Sequence, residues 1–428
     1  MPVKMYRKYL GVLFVFVLYR FMPLFIVLPR YAIHLVYLLV ACMYLFINRN
    51  WIWMLIQKVN CSKCLTYSFV SYFIAVLWGC FVVVFRNEET SYLLQQLGST
   101  VWQSVIVYMF LLVVTKRVLH PQNLLYTFMQ LFIISQCINI LCSIVFILIP
   151  EIKEFWIHII SQTAGQQSGL LQSRFLSRIG LRGFSNFKDT IECSIGIIFC
   201  ISAFDQSRFL VSIIEILLLI LGNFFYGRSG LLFSIGIALF TAFWRLNRNR
   251  IAMLIIGSIF VYVIWGCITD FVAENRQFSS SLQWAIQPFT TFLYSWERGY
   301  FSLGDSSDTM FRMYFVPEDG LTILIGDGKY TNSDGSYYMH TDVGFMRHML
   351  FYGVIGETLG YLSFGFLLLA LEKLAKRMDN PRWRELALMF FLLTFYFEIK
   401  GDPFFNFFGI ILAVCIGAEN QVYKNLIR

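Results

Sequence analysis

The sequence predicts an all-α membrane protein: a polytopic helical bundle of about twelve spans with one large polar segment carried in a single loop. Three observations predict it. Hydrophobic residues make up 58% of the 428 and charged residues only 14%, whereas a soluble domain carries about 25% charged residues. Mean hydropathy is +0.66. Apolar runs of span length recur along the chain, and their longest interruption, residues 271–341, is too polar for hydrocarbon, which offers a backbone no hydrogen-bond partner. The formal net charge of +9 is what basic cytoplasmic loops leave, so no nucleic-acid partner is expected.

The runs fall at 9–28, 31–47, 67–85, 100–115, 124–149, 189–204, 207–222, 229–244, 251–270, 345–371, 385–398 and 404–418. The first has no small-residue cleavage site and is long enough to remain as a span. Basic residues crowd alternate loops. Lys4, Arg7 and Lys8 precede the first span, and Arg49, Lys58 and Lys63 follow the second. Lys116 and Arg117 follow the fourth, Arg208 the sixth, and Arg245, Arg248 and Arg250 the eighth. Lys373, Lys376, Arg377, Arg382 and Arg384 follow the tenth, and Lys424 and Arg428 the last. The other short loops hold one each: Arg30, Arg86, Arg228 and Lys400. The positive-inside rule then puts both termini in the cytoplasm and the long polar segment outside. The chain divides into bundle residues 1–270, an outer loop domain 271–341 and bundle residues 342–428. Of its ten cysteines, eight lie in or beside apolar runs, where a thiol behaves as a small hydrophobe. The pair Cys61 and Cys64 has no second pair or histidine nearby, so no zinc site is expected there.

Several polar groups stand where chemistry is possible. In the outer loop 151–188, Arg174, Arg178 and Arg182 recur every fourth residue beside Leu171, Phe175, Leu176 and Ile179. On a helix this makes a basic stripe beside an apolar one, suited either to lipid headgroups or to bidentate phosphate binding. Before it, residues 151–161, with Phe155 and Trp156, suit a segment lying flat at the interface. Gly227-Arg228-Ser229-Gly230 reads as a tight outer turn, with Arg228 either snorkelling or fixed as an anion anchor. His340, Gly344 and Arg347 share one face if a helix already runs there, with Asp342 orienting the imidazole or acting as a base. The other reading has Thr341 or Asp342 capping the tenth span and His340 simply exposed. Arg20, Glu215 and Glu357 fall within spans, which points to buried pairs (Arg208 with Glu215) or to a transport pathway. The phosphate-loop, HExxH and GxSxG signatures are absent, and Asp305 with Asp308 is a weak metal signal.

Layout and three short motifs together resemble the O-antigen polymerase family, which is related to the O-antigen ligases. Arg182-Gly183-Phe184-Ser185-Asn186 resembles the run entering the sixth span in these families, and Gly227-Arg228-Ser229-Gly230 their short outer turn. His340-Thr341-Asp342-Val343-Gly344-Phe345, followed by Gly353-Val354-Ile355-Gly356, resembles the segment and glycine pair that close the big loop. The resemblance implies a glycosyltransferase at the periplasmic face of the bacterial inner membrane. It would join undecaprenyl-diphosphate-linked oligosaccharide repeat units into O-antigen or a related surface polysaccharide, as part of lipopolysaccharide biosynthesis. Arg182, Arg228, Arg347 and Arg178 would hold the diphosphate, and His340 or Asp342 would take the proton from the attacking hydroxyl. Guanidinium groups would do the electrostatic work of a metal, so neither metal nor cofactor is expected. A chain-length regulator protein and membrane lipid are the expected partners, and Trp284, Tyr294, Trp296 and Tyr300 are candidates to stack on sugar rings. The alternatives are an O-antigen ligase, a lipid-linked oligosaccharide flippase or other transporter, and a non-catalytic membrane partner.

Overall fold

The computed structural model describes residues 3–23, 30–58, 62–160, 179–184, 187–203, 209–244, 291, 294–299, 310–332, 336–378, 381–401 and 404–427. A backbone withdrawn from water must satisfy its own N–H and C=O groups, so the apolar runs fold as helices. These are α1 (Val3–Phe21), α2 (Arg30–Ile47), α3 (Arg49–Lys58), α4 (Ser62–Arg86), α5 (Ser91–Leu97), α6 (Val107–Val114), α7 (Leu124–Leu148) and α8 (Pro150–Ile159). After a two-residue hairpin, β1 (Ile179–Gly180) with β2 (Gly183–Phe184), come α9 (Phe187–Ser202), α10 (Phe209–Tyr226), α11 (Arg228–Trp244), α12 (Gly320–Ile325), α13 (Gly344–Arg377), α14 (Pro381–Glu398) and α15 (Phe404–Ile427). The all-α class is thus observed. Among the described residues, four helical runs are long and apolar enough to cross a membrane: Lys63–Arg86, Ser91–Leu119, Leu124–Leu148 and Gly344–Arg377. On α4, Phe73, Leu77, Phe81 and Val84 stay exposed on one face, an arrangement that lipid tolerates and water does not.

Two expectations change here. The first run, expected to reach residue 28, ends its helix at Phe21. Met22 sits at φ +39 before Pro23, and a residue preceding proline is driven out of the α region. The run expected from residue 100 begins at Ser91 and includes two π-helical stretches, Gly98–Ile106 and Thr115–Leu119. The expected span 251–270 lies outside the described residues, as do Asp305 and Asp308.

The chain forms two compact units. One comprises residues 1–8, 36–128 and 305–428. In it α13 packs along α4 and also against α12, α14 and α15, with Leu367, Leu371, Leu393, Phe397, Ile410 and Val414 in the core. Helix α13 is broken at Gly353, whose φ of 63° and ψ of 176° belong to a region only glycine occupies readily. The break frees carbonyls, and buried carbonyls must be paired. Leu350 O accepts from Asp327 N–H at 2.7 Å, Phe351 O from Gly328 N–H at 3.2 Å, and Tyr352 O from Trp78 Nε1 at 2.8 Å. Arg86, at the end of α4, fastens this loop through Gly326 O at 3.0 Å and Asp327 Oδ1 at 3.3 Å. Asp327 also accepts from Thr322 Oγ1 at 2.7 Å and from the Tyr338 hydroxyl at 3.0 Å. Asp327→Ala strands these donors, so it is expected to cost about 2 kcal/mol and to open residues 326–330 to protease. Thermal unfolding in detergent micelles and limited proteolysis measure the two effects.

The other unit comprises residues 9–35 and 129–304. Helix α9 is buried on nearly every side, with α10 and α11 packed against it. The hairpin tucks Ile179 among Phe146 and Ile157. Its turn is tied down by Leu181 N–H donating to Asn139 Oδ1 at 2.8 Å and Trp156 Nε1 donating to Gly180 O at 3.3 Å. Helix α8, expected flat at an interface, turns Lys153 and Ile157 inward.

Candidate active site

Among the described residues the predicted groups fall at two places, one in each unit: His340, Asp342 and Arg347 in one, and Arg182 in the other. The first lies at the start of α13. That helix begins at Gly344 with Val343 as its N-cap, so neither Thr341 nor Asp342 caps it. Thr341 Oγ1 instead accepts from Val343 N–H at 3.3 Å. His340 therefore does not share a helix face with Arg347; it is exposed, as the other of the two readings had it. It ends a single 3-10 turn in which Met339 and His340 both take positive φ, and its side chain is exposed. Asp342 is half-buried. Burial pushes its carboxyl above the ordinary carboxylate value, opposed by Lys400 and Arg347.

Arg347 is only 9% exposed. Its guanidinium lies 3.5 Å from the Tyr330 ring centroid and 4.2 Å from that of Tyr337, and Tyr330 in turn stacks on Tyr92 at 3.5 Å. Aromatic faces attract a cation without using its hydrogen-bond donors. Among the described residues the Arg347 Nε hydrogen finds no acceptor. The loop that Gly353 admits continues directly into Tyr330, so the helix break also positions the lower wall of this cage. Lys329 pairs with Glu88 at 2.9 Å beside it.

The second cluster surrounds the hairpin. Arg182 was expected on a helical stripe but sits in the β1–β2 turn; Arg174 and Arg178 lie outside the described residues. Its Nε is 3.2 Å from Asp189 Oδ1 and its Nη2 3.2 Å from Glu192 Oε1. Glu192 Oε2 pairs with Arg20 at 2.8 Å, and Arg20 also donates to Phe132 O, Ser135 Oγ and Gln136 Oε1. Asp189 and Glu192 stand three residues apart on α9, which aims both carboxylates at one side. One residue on, Thr190 Oγ1 donates to Gly227 O at 3.3 Å and so fixes the joint from which α11 starts at Arg228. Gly227 alone separates α10 from α11, a tighter connection than the expected turn.

Sequence reasoning missed the carboxylates and the aromatic cage. Arg20 was itself a signal, because a guanidinium inside a span requires a partner on another helix. Glu215 is buried on α10, with Cys200 Sγ 4.0 Å from its Oε2, whereas Arg208 lies outside the described residues. Tyr294 and Trp296 are exposed, and Arg298 lies 4.0 Å over the Tyr294 ring; Trp284 and Tyr300 fall outside the description. No protein-family model matches the chain, and no curated protein matches it in sequence.

Proposed function

We propose that the protein joins oligosaccharide repeat units carried on undecaprenyl diphosphate, as a multi-pass glycosyltransferase of the O-antigen polymerase type working at the periplasmic face of the bacterial inner membrane. The twelve-span topology, with cytoplasmic termini and the 271–341 segment outside, belongs to this reading. One observation carries it. Arg347 is a buried cation lying over the rings of Tyr330 and Tyr337, its Nε hydrogen without an acceptor among the described residues, seven residues from His340 and five from Asp342. A diphosphate monoanion or dianion is the ligand such a guanidinium suits.

In the reaction, the acceptor hydroxyl attacks the anomeric carbon, the carbon–oxygen bond to the diphosphate breaks, and the diphosphate leaves with the bonding electrons. Arg347 offsets the charge that develops on the leaving oxygen. Asp342 or His340 takes the hydroxyl proton. Because Arg182 is already held by two carboxylates, the diphosphate role rests on Arg347 in this account. The buried charges around Arg20 favour a second reading, a lipid-linked oligosaccharide transporter.

Full-length protein in nanodiscs, supplied with defined lipid-linked repeat units, tests the proposal by product length. Wild type is expected to make a ladder. Arg347→Lys, which loses the planar fork and the stacking, should lose about tenfold or more in rate. If Asp342 is the base, wild-type rate falls in acid as the pH drops through its raised value, and Asp342→Asn is slow with that acid limb gone. Unchanged ladders from Arg347→Lys and Arg347→Ala would discard the reading. Transfer only to a lipid A-core acceptor would mark a ligase, and movement of the lipid without a new bond a transporter.

A further inference from the structure

Helices α13 and α14 leave an open groove between them, with a volume of about 800 Å³. Sites that hold an organic ligand span roughly 300–1,000 Å³. Its α13 wall carries Thr358, Leu362, Gly365, Leu369 and Glu372, spaced alternately four and three residues apart and so on one helix face. Leu388 and Phe391 line the α14 side. Leu362, Leu369, Leu388 and Phe391 are all exposed. The Thr358 hydroxyl donates to Val354 O of its own helix at 2.6 Å, so it asks nothing of an occupant. Gly365 leaves room in the middle, because a β-carbon there would meet nothing within 4 Å. From Thr358 to Glu372 the wall runs about 21 Å, against roughly 15 Å for the hydrocarbon of one leaflet. This wall belongs to a helix long and apolar enough to cross a membrane.

The two ends of the groove differ in charge. Glu372 stands at one end, and Lys376 holds its carboxylate at 2.6 Å. Residues 372–385, which connect the two walls, carry Lys373, Lys376, Arg377, Arg382 and Arg384 against Glu372, Asp379 and Glu385. Lys373 Nζ donates to Cys64 Sγ at 3.1 Å, which brings the start of α4, with the exposed Lys63, to the same end. Glu419 of α15 is a further acid there, buried and in the field of Arg377. Cations are in surplus at this end. Glu357, beside Thr358, is acidic, so the other end offers an anion no such surplus. An apolar slot one leaflet deep, with a basic mouth, complements a molecule that is apolar along its length and anionic at one end. We propose that the groove between α13 and α14 holds one acyl chain of an anionic phospholipid, with the lipid phosphate seated at the Glu372–Arg377 end. Glu372 lies twenty-five residues along α13 from Arg347, so this site is separate from the proposed diphosphate site and stands whether or not the glycan-transfer reading does.

Photolabelling of the full chain in nanodiscs tests this, with membranes that mix phosphatidylglycerol and phosphatidylcholine of the same acyl chains. A diazirine is carried in the acyl chain of one lipid at a time, and labelled peptides are read by mass spectrometry. The phosphatidylglycerol probe is expected to label residues 358–372 and 387–391 about fivefold more than the phosphatidylcholine probe, the ratio that one basic residue near an anionic headgroup supplies. On the exposed face of α4, at Phe73, Leu77 and Phe81, the two probes should label alike. Gly365→Trp fills the middle of the groove and should abolish the groove labelling while leaving that on α4. Lys376→Gln, which leaves the Glu372 carboxylate without its partner, should bring the two probes level. Equal labelling of the wild-type groove by both probes overturns the proposal, as does groove labelling that Gly365→Trp leaves unchanged. Should Gly365→Trp fail to fold, Leu388→Trp obstructs the groove from the α14 side and decides the matter in the same way.

Discussion

Gly353→Ala is expected to destabilise the purified protein by about 3 kcal/mol or more, among the largest effects of any alanine substitution in α13. Two costs add. Alanine is strained at φ 63° and ψ 176°, and its β-carbon would meet the backbone of Leu324 and Ile325. These are backbone atoms of the helix that leads into the 326–328 loop, so no side chain can swing aside. Either the break closes into a regular helix, or the loop leaves. In both cases Leu350 O and Phe351 O lose the N–H groups of Asp327 and Gly328, and Arg86 loses its hold. Gly365, on the same helix with open space around it, is the control. There alanine should be neutral or slightly stabilising, because it is the better helix former by roughly 1 kcal/mol. Thermal unfolding in micelles compares the two. Equal melting of Gly353→Ala and wild type would mean that the loop is not seated in the break.

Glu192→Gln is the second large effect, with an expected loss of roughly 3–5 kcal/mol. Arg20, Arg182 and Lys188 all lie in the field of this carboxylate, and Asp189 is the other acid of the cluster. Neutralising Glu192 leaves three cations facing one anion in a buried setting. The isosteric amide keeps the volume, so the loss reports charge rather than a cavity. Arg20→Met on the Glu192→Gln background removes one surplus cation and should recover part of the stability. A coupling of about 1–3 kcal/mol is expected from the double-mutant cycle. Strict additivity would show that Arg20 and Glu192 do not act as a pair.

Composition and periodicity carried much of the architecture. The runs at 31–47, 124–149, 207–222 and 229–244 correspond to α2, α7, α10 and α11 to within about four residues, and 345–371 to α13, which runs six residues further. A helix buried in lipid or protein is a local solution to backbone hydrogen bonding, so its presence is written in its own residues. Its exact end was less legible where a single proline cut α1 short. Of the site, Arg182, Arg347, His340 and Asp342 were nameable because charge is conspicuous in an apolar chain, but their surroundings were not.

What the sequence by itself determined is the all-α class, the apolar helices of span length, and the short list of ionisable residues among them. Only the tertiary structure decided that Arg20 meets Glu192, that Tyr330 and Tyr337 enclose Arg347, and that Glu398 reaches His348. It also decided that Gly353 breaks α13 to admit the Asp327 loop. The reason is range. Helix formation joins residues four apart, whereas each of these contacts joins residues on different elements, and periodicity along one strand of sequence contains no term for which helix lies alongside which.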